Sequence, residues 1–411
     1  MAKKNKLYSL RALAWQRFKR NKPAMFSLLV IILTVIVALL GPFIRPDATP
    51  KSNDQNLEIT LKQPGFSLQI LKIRKNSLSK ETSFFNQLIW GIESEYRTYP
   101  IYSYNFEGTD IVVEKYTGDM PNNGEVIRFN LADVAYPIDA TKHAFIEGST
   151  INFYSLEGKQ YSLEIESLKT EVIENNIENR KYYLGTDRYG RDFLSRIMAG
   201  TWISLTVGLI SVFISIIIGV LMGALAGYFR GWIDDVIMWL INVVWSIPTL
   251  LLIIAITLAI GKDFWQVFVA VGLTMWVEVA RVVRGQVLSI REKEFVEAGH
   301  ALGFTNYRII YRHILPNVMG PVVVISAANF AAAILIEAGL SFLGLGAPPP
   351  QATWGKIISE HRGYIFTGSG TEYLTIIPGV AIMILVLAFI FIGNGLRDSL
   401  DSKTQKDFTS L

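Results

Sequence analysis

Apolar residues are gathered into six runs, roughly 24–44, 201–225, 233–260, 264–284, 318–342 and 373–396. Each is near the ~20 residues that a helix needs to cross a bilayer. Helices are the expected form, because lone lipid-facing strands would leave backbone groups unpaired. Between the first two runs the pattern changes to short alternating stretches such as Asp110-Ile-Val-Val-Glu-Lys-Tyr and Glu125-Val-Ile-Arg-Phe-Asn-Leu. Thr150-Ile-Asn-Phe-Tyr and Tyr161-Ser-Leu-Glu-Ile-Glu-Ser-Leu follow, with turns at Pro121–Gly124 and Glu157–Lys159. The pattern predicts an all-α polytopic membrane protein with six transmembrane helices. A mainly β domain over 45–183 is inserted between helices 1 and 2, with one or two helices of its own near 80–96.

Charge orients the chain. Eight Lys/Arg and no acidic residue precede Pro23, which places the arm 1–22 in the cytoplasm. Leu7, Leu10, Leu13, Ala14 and Phe18 lie near helical spacing in that arm. They predict an interfacial helix lying on membrane lipid, with recognition of anionic lipid as the alternative. Helix 1 (23–44) is too long for a signal core, and Gly41-Pro42-Phe43 offers no small-residue cleavage site. Six crossings return the C-terminus to the cytoplasm and put 45–183 outside. Residues 45–185 hold 15 Lys/Arg and 20 Asp/Glu against a whole-chain net charge of +4. The positive excess therefore lies in the rest of the chain, as topology demands, and nucleic acid is not implied.

Other chemistry is sparse. There is no cysteine, and His143, His300, His313 and His361 lack metal-ligand spacing. Gly158-Lys159, Gly261-Lys262 and Gly355-Lys356 all lack the rest of a phosphate-binding loop. No catalytic residue, metal or cofactor site is expected, and any ATP must be bound by another chain.

Three polar features interrupt the apolar pattern. The first is the stretch 285–317 between two spans, an amphipathic cytoplasmic segment. Phe295, Ala298, Leu302 and Phe304 can share a face there, Gly303 permits a break, and Pro316 suits the first turn of the next helix. The second is Leu184–Arg196, LGTDRYGRDFLSR, which reads as a glycine turn followed by a helix with Asp192 as its N-cap. Phe193, Leu194, Ile197 and Met198 would lie on the membrane surface. The third is a pair of carboxylates within spans. Glu278 reads as an ion pair with Arg281 or as a pathway group, and Glu337, with no nearby partner in sequence, as a pathway candidate. In the third span, Pro248 predicts a kink.

The order Glu297-Ala298-Gly299, then Gly303, then Leu315-Pro316 resembles the EAA loop of ABC-importer permeases. Gly299 departs from the usual alanine. Arg312–Asn317, RHILPN, resembles the peptide/nickel branch, and LGTD-x-x-GRD-x-LSR resembles the C-type subunits of oligopeptide and dipeptide importers. Gly185, Thr186, Asp187, Gly190, Arg191 and Asp192 carry that second match. The resemblance covers about 1–45 and 184–411 and leaves the insertion without a counterpart. It implies a type I ABC importer fold over 184–411, with a coupling helix at about 294–316. It also implies a second permease subunit, two cytoplasmic ATPases, an extracytoplasmic peptide-binding protein and a peptide substrate moved by alternating access across a bacterial cell membrane. Nickel or another small solute is the alternative cargo. A membrane-anchored ligand receptor is the alternative of another class, and a channel a third.

Overall fold

The computed structural model describes residues 10–400 apart from 78–82, 85, 88–90, 119, 140, 143 and 262–263. His143, Leu7, the link at 262–263 and residues 80–82, 85 and 88–90 of the helix expected near 80–96 fall outside the described residues. From Tyr96 the chain is strand. Two compact units are formed, one from 1–38, 200–360 and 375–411 and the other from 39–199 and 361–374.

The first unit is helical. Its elements begin with α1 (Leu10–Arg20) and α2 (Lys22–Ile44). Among the described residues five helical stretches are long and apolar enough to span a membrane: Lys22–Ile44, Phe193–Phe229, Trp265–Arg291, Asn306–Phe342 and Tyr373–Leu400. The run read as one span over 233–260 is two helices that meet at 95°. It counts as a sixth span only if the pair is taken together. The cause is local: a residue before proline is pushed from helical to extended backbone. Ile247 accordingly sits at φ −94°, ψ 129° and Pro248 at φ −55°, ψ 124°. The expected kink is thus a break.

The helix Phe193–Phe229 is 37 residues long, about 55 Å at the α-helical rise. Leu209, Phe213, Ile217 and Leu221 form an exposed stripe at four-residue spacing, suited to lipid. Gly219, Gly223 and Gly227 form a second stripe. A Cβ on any of them would come within 2.5–2.8 Å of Val279, Ala280, Val283, Arg284 or Val287. The glycines therefore let the helix Phe264–Arg291 approach closely, the small-residue packing common between membrane helices.

The second unit holds the insertion. Eight strands follow: β1 (Phe66–Arg74), β2 (Tyr96–Glu107), β3 (Asp110–Lys115), β4 (Val126–Asn130), β5 (Phe145–Glu147), β6 (Thr150–Tyr154), β7 (Gln160–Glu164) and β8 (Ile177–Tyr182). They make an antiparallel five-stranded sheet in the order β4-β3-β2-β1-β8 and a three-stranded sheet β5-β6-β7. Helices α3 (Leu131–Ala135) and α4 (Ile165–Glu171) join them. Leu71, Ile73, Ile101, Ile111, Val113, Ile151 and Phe153 alternate inward from the strands to meet Leu131, Leu168 and Val172 in one core. The insertion enters and leaves by neighbouring strands: Phe66 lies opposite Tyr182, and the Gly65 amide donates to the Tyr182 carbonyl at 2.9 Å.

The remaining helices are α5 (Phe193–Phe229), α6 (Gly231–Ser246), α7 (Thr249–Ile260), α8 (Phe264–Arg291), α9 (Glu294–Ala301), α10 (Asn306–Ile309), α11 (Leu315–Phe342), α12 (Trp354–His361) and α13 (Tyr373–Leu400).

Candidate functional site: an exposed coupling loop and a buried motif

The segment expected as one coupling helix over 294–316 is three pieces. Helix α9 starts after the extended Lys293 and ends where Gly303 takes φ +74°. There the Gly303 amide donates to the His300 carbonyl at 2.9 Å, and the Phe304 amide donates to Gly299 at 3.0 Å. These two bonds are a Schellman cap, whose left-handed residue is favourable only as glycine or asparagine. Helix α10 follows, with the Thr305 hydroxyl accepting from the Arg308 amide. A π turn at Ile310–Ile314 then leads into α11, with Leu315 and Pro316 in its first turn.

The knob is built from inside. Val296, Ile309 and Ile314 are buried among Val283, Val287 and Ile290 of α8 and Val318 of α11. Gly299 is buried too, facing Phe304 and Ile309. Three polar ties fasten it: the Tyr228 hydroxyl donates to Asn306 at 2.8 Å, Arg291 donates to the Tyr228 carbonyl at 2.6 Å, and Arg230 pairs with Glu292 at 2.7 Å. At the neighbouring end of α6, Arg284 donates twice to Asp234 at 2.6 Å.

Outward the surface is a mix suited to a partner. Glu297, Ala298 and Gly303 are exposed, as are Phe295, Leu302, Tyr307 and Tyr311, Leu302 at 72% and Tyr307 at 76%. The two tyrosine rings lie parallel, 6.0 Å apart. Phe304 does not share the outer face with Phe295, Ala298 and Leu302 as expected. The Gly303 cap turns it back to stack on His313 and lie under Arg308.

The second motif behaves in the opposite way. Read as a membrane-surface element, it is interior: Thr186, Asp187, Arg191, Asp192, Phe193, Ser195 and Arg196 are all buried. Asp187 accepts from the amides of Tyr189 and Arg191 at 2.8 and 3.0 Å and pairs with the Arg191 guanidinium at 2.6 Å. Asp192 caps α5, accepting from the Ser195 amide at 2.8 Å and from the Ser195 hydroxyl. Burial, opposed by those bonds, pushes the Asp192 carboxyl above its ordinary value.

The stretch after α2 wraps this motif. The Lys62 amide donates to the Thr186 hydroxyl at 2.8 Å, and Thr186 donates to the Ile59 carbonyl. Arg191 donates to Asn53 at 3.2 Å, the Asp47 amide donates to Ser195 at 2.9 Å, and Arg196 donates to the Lys51 carbonyl at 3.0 Å. Gly190, at φ +69°, lies so close to the Asn56 carbonyl that a Cβ would overlap it. Phe193 meets the rings of His361 and Tyr373 edge-on, so it too is removed from the surface. Sequence reasoning missed this wrap, although Asp47, Asn53 and Asn56 were visible as a polar run directly after a span.

The two intramembrane carboxylates part company. Glu278 is exposed and makes no ion pair with a described residue. The expected pair with Arg281 is absent because Arg281 turns to α6, donating to Asn242 at 3.1 Å and lying 3.4 Å over the Trp245 ring. Glu337 is 2% exposed, accepts from the Ser341 hydroxyl at 2.6 Å, and leaves Oε2 without a partner among the described residues. Ser341 also accepts from Thr353 at 3.2 Å. Glu337 is thus enclosed, whereas Glu278 is open.

Residues 216–406 match the model of the binding-protein-dependent transport system inner membrane component. Residues 9–64 match that of the N-terminal TM domain of oligopeptide transport permease C. The second match runs past the boundary expected near 45 and ends at residue 64, just before β1. The dipeptide transport system permease protein of Alkalihalophilus pseudofirmus is 40% identical over 236 residues, 56% of this chain and 77% of that protein. The oligopeptide transport system permease protein of Escherichia coli K12 is 43% identical over 222 residues, 54% of this chain and 72% of that protein. The glutathione transport system permease protein of Pectobacterium atrosepticum is 40% identical over 54% and 73% of the two. A solved inward-facing MetNI methionine ABC transporter chain is 20% identical over 50% of this chain and 97% of its own, with a TM-score of 0.43. The chain is a multi-pass protein of the bacterial inner membrane and belongs to the binding-protein-dependent ABC-importer permeases, as a C-type subunit of the oligopeptide/dipeptide branch.

Proposed function

We propose that this permease subunit imports oligopeptides or dipeptides by alternating access. It pairs with a second permease subunit, receives substrate from an extracytoplasmic peptide-binding protein, and is driven by two ATPases that dock on 294–316. Being a permease, it is not itself an enzyme. The chain crosses the membrane six times, the broken pair α6–α7 making one crossing. Both termini are then cytoplasmic and 45–183 lies outside.

The observation that carries this reading is the exposed face of α9 on a buried apolar base. A knob that transmits force must be firmly rooted in the spans yet free to meet another chain. Val296, Ile309 and Ile314 supply the root, and Glu297, Ala298 and Leu302 the free face. Gly185, Thr186, Asp187, Gly190, Arg191 and Asp192 act as an internal clamp for the start of α5. Glu278 belongs to the pathway side of α8, four residues before Val282 and eight before Gln286, hence on one helical stripe.

Uptake of labelled peptides of two to eight residues, run beside labelled nickel in a deletion strain, tests the cargo. Loss of ATP-dependent peptide uptake, restored by the gene, is the expected result. Loss of nickel uptake alone would sink the peptide reading. Coupling is tested separately with Glu297→Arg and Gly303→Leu, which are expected to insert normally but lose substrate-stimulated ATPase activity.

The insertion guides or docks the binding protein. Its entry and exit through β1 and β8 allow 66–182 to be replaced by a short linker that spares the wrap at 47–62. A drop in binding-protein affinity is expected. Unchanged affinity and uptake would dispose of this role.

A further inference from the structure

A cavity of about 690 Å³ lies between α8, α11 and α13. Its lining comes from one stripe of each helix: Val282 and Gln286; Gly320, Pro321, Val324, Ile325 and Ala328; Ile390, Gly393, Asn394, Arg397 and Leu400. The spacing of three and four residues on each helix means that whole faces converge on the space. Its volume is in the range of small-molecule sites. The stripes lie near the end of α8, the start of α11 and the end of α13. These ends are the cytoplasmic ones in the topology proposed above.

Among the described residues Arg397 is the only charged one in this lining, and it makes no ion pair or hydrogen bond with a described residue. Among the described residues Gln286 and Asn394 are the side-chain amides beside it. The rest is small or apolar, and a Cβ added at Gly393 would meet α11 at Ala327 and Val324 at 3.3–3.6 Å. An exposed guanidinium that pairs with no described carboxylate, lining a space walled mainly by apolar side chains, is a receptor for a planar anion that it can meet with two parallel hydrogen bonds. Uncommitted amides and small walls make few demands on the rest of the ligand.

The geometry points to a transit site for the C-terminal carboxylate of a peptide, held by Arg397 and assisted by Gln286 and Asn394. This rests on the peptide-import reading. It adds the chemical group that the permease itself recognises. A carboxylate is common to every free peptide whatever its side chains, so a site of this kind tolerates varied cargo while still holding each molecule.

The test uses the complete importer in proteoliposomes, supplied with labelled tri-alanine or its C-terminal amide. The binding protein can itself favour the acid, so the readout is the change that each substitution makes for each peptide. Arg397→Gln is expected to lower uptake of the acid roughly tenfold, the worth of a lost charge-assisted hydrogen bond. It is expected to spare the amide, which presents no carboxylate to Arg397. Arg397→Lys should recover part of the acid uptake, since the charge remains but the fork is lost. An unchanged acid rate, or an equal fall for both peptides, overturns the proposal. An equal fall that varies with the anionic lipid content of the vesicles would assign the cavity to a phospholipid headgroup and also overturn it. If Arg397→Gln does not assemble, Gln286→Leu replaces it: a loss confined to the acid supports the site, and any other result rejects it. Failure of the wild type to import either peptide would instead bring down the import reading, and this proposal with it.

Discussion

The loop at 294–316 and the motif at 184–196 are both polar, glycine-containing and recognisable by spacing, yet they face opposite ways. In the loop Glu297, Ala298 and Leu302 are presented to solvent while Val296, Gly299, Ile309 and Ile314 turn in. In the motif Thr186, Asp187, Arg191 and Asp192 are buried and bonded to one another or to the chain at 47–62. A fixed spacing can therefore encode a surface for another chain or a join within one chain. Polarity alone does not tell the two apart.

The contrast breaks most readily in the motif. Asp187→Ala removes the carboxylate that pairs with the buried Arg191 guanidinium, and removing one partner of a buried pair costs about 3–5 kcal/mol. Thermal unfolding in detergent should show a large fall or no recoverable folded protein. A near-wild-type transition would mean that the motif is not a clamp. Gly190→Ala comes next: the backbone is left-handed and the Asn56 carbonyl occupies the Cβ position, for a loss of about 1–3 kcal/mol. Glu297→Arg is the counter-case. A surface substitution of this kind changes stability by less than about 0.5 kcal/mol, so the melting curve should hold while ATPase coupling fails. Equal damage to folding and coupling would erase the distinction between the two regions. Smallest is Gly299→Ala. A Cβ there meets Phe304 and Ile309 at an ordinary 3.6–3.8 Å, and alanine gains up to about 1 kcal/mol of helix propensity. The melting curve should move slightly upward with coupling intact.

The helical spans were legible because hydropathy is written along the chain, one residue after another. The loop was legible because Glu297, Ala298, Gly303 and Leu315-Pro316 resemble the EAA signature, while Gly303 and Pro316 alone showed only a break and a helix start. What was lost depended on neighbours distant in sequence. Arg281 chooses Asn242 and Trp245 over Glu278 only because the broken span brings α6 alongside α8. Asp187 and Arg191 are interior only because 47–62 wraps them, and a short polar stretch beside a span otherwise reads as surface. The sharp turn at Ile247–Pro248 was visible as a proline, but its size follows from two consecutive extended residues rather than one missing hydrogen bond. The stripe Gly219, Gly223 and Gly227 was in plain view at four-residue spacing and went unread beside the stronger hydropathy signal.

Because Phe66 and Tyr182 are opposite one another on adjacent strands, more than a hundred residues begin and end about 5 Å apart. For the membrane part, the whole insertion is equivalent to a tight turn. Such a socket accepts domains of any length without a change in the loop it closes. The same two strands would therefore carry a fluorescent protein or an affinity tag, turning a natural addition into a port for reporters.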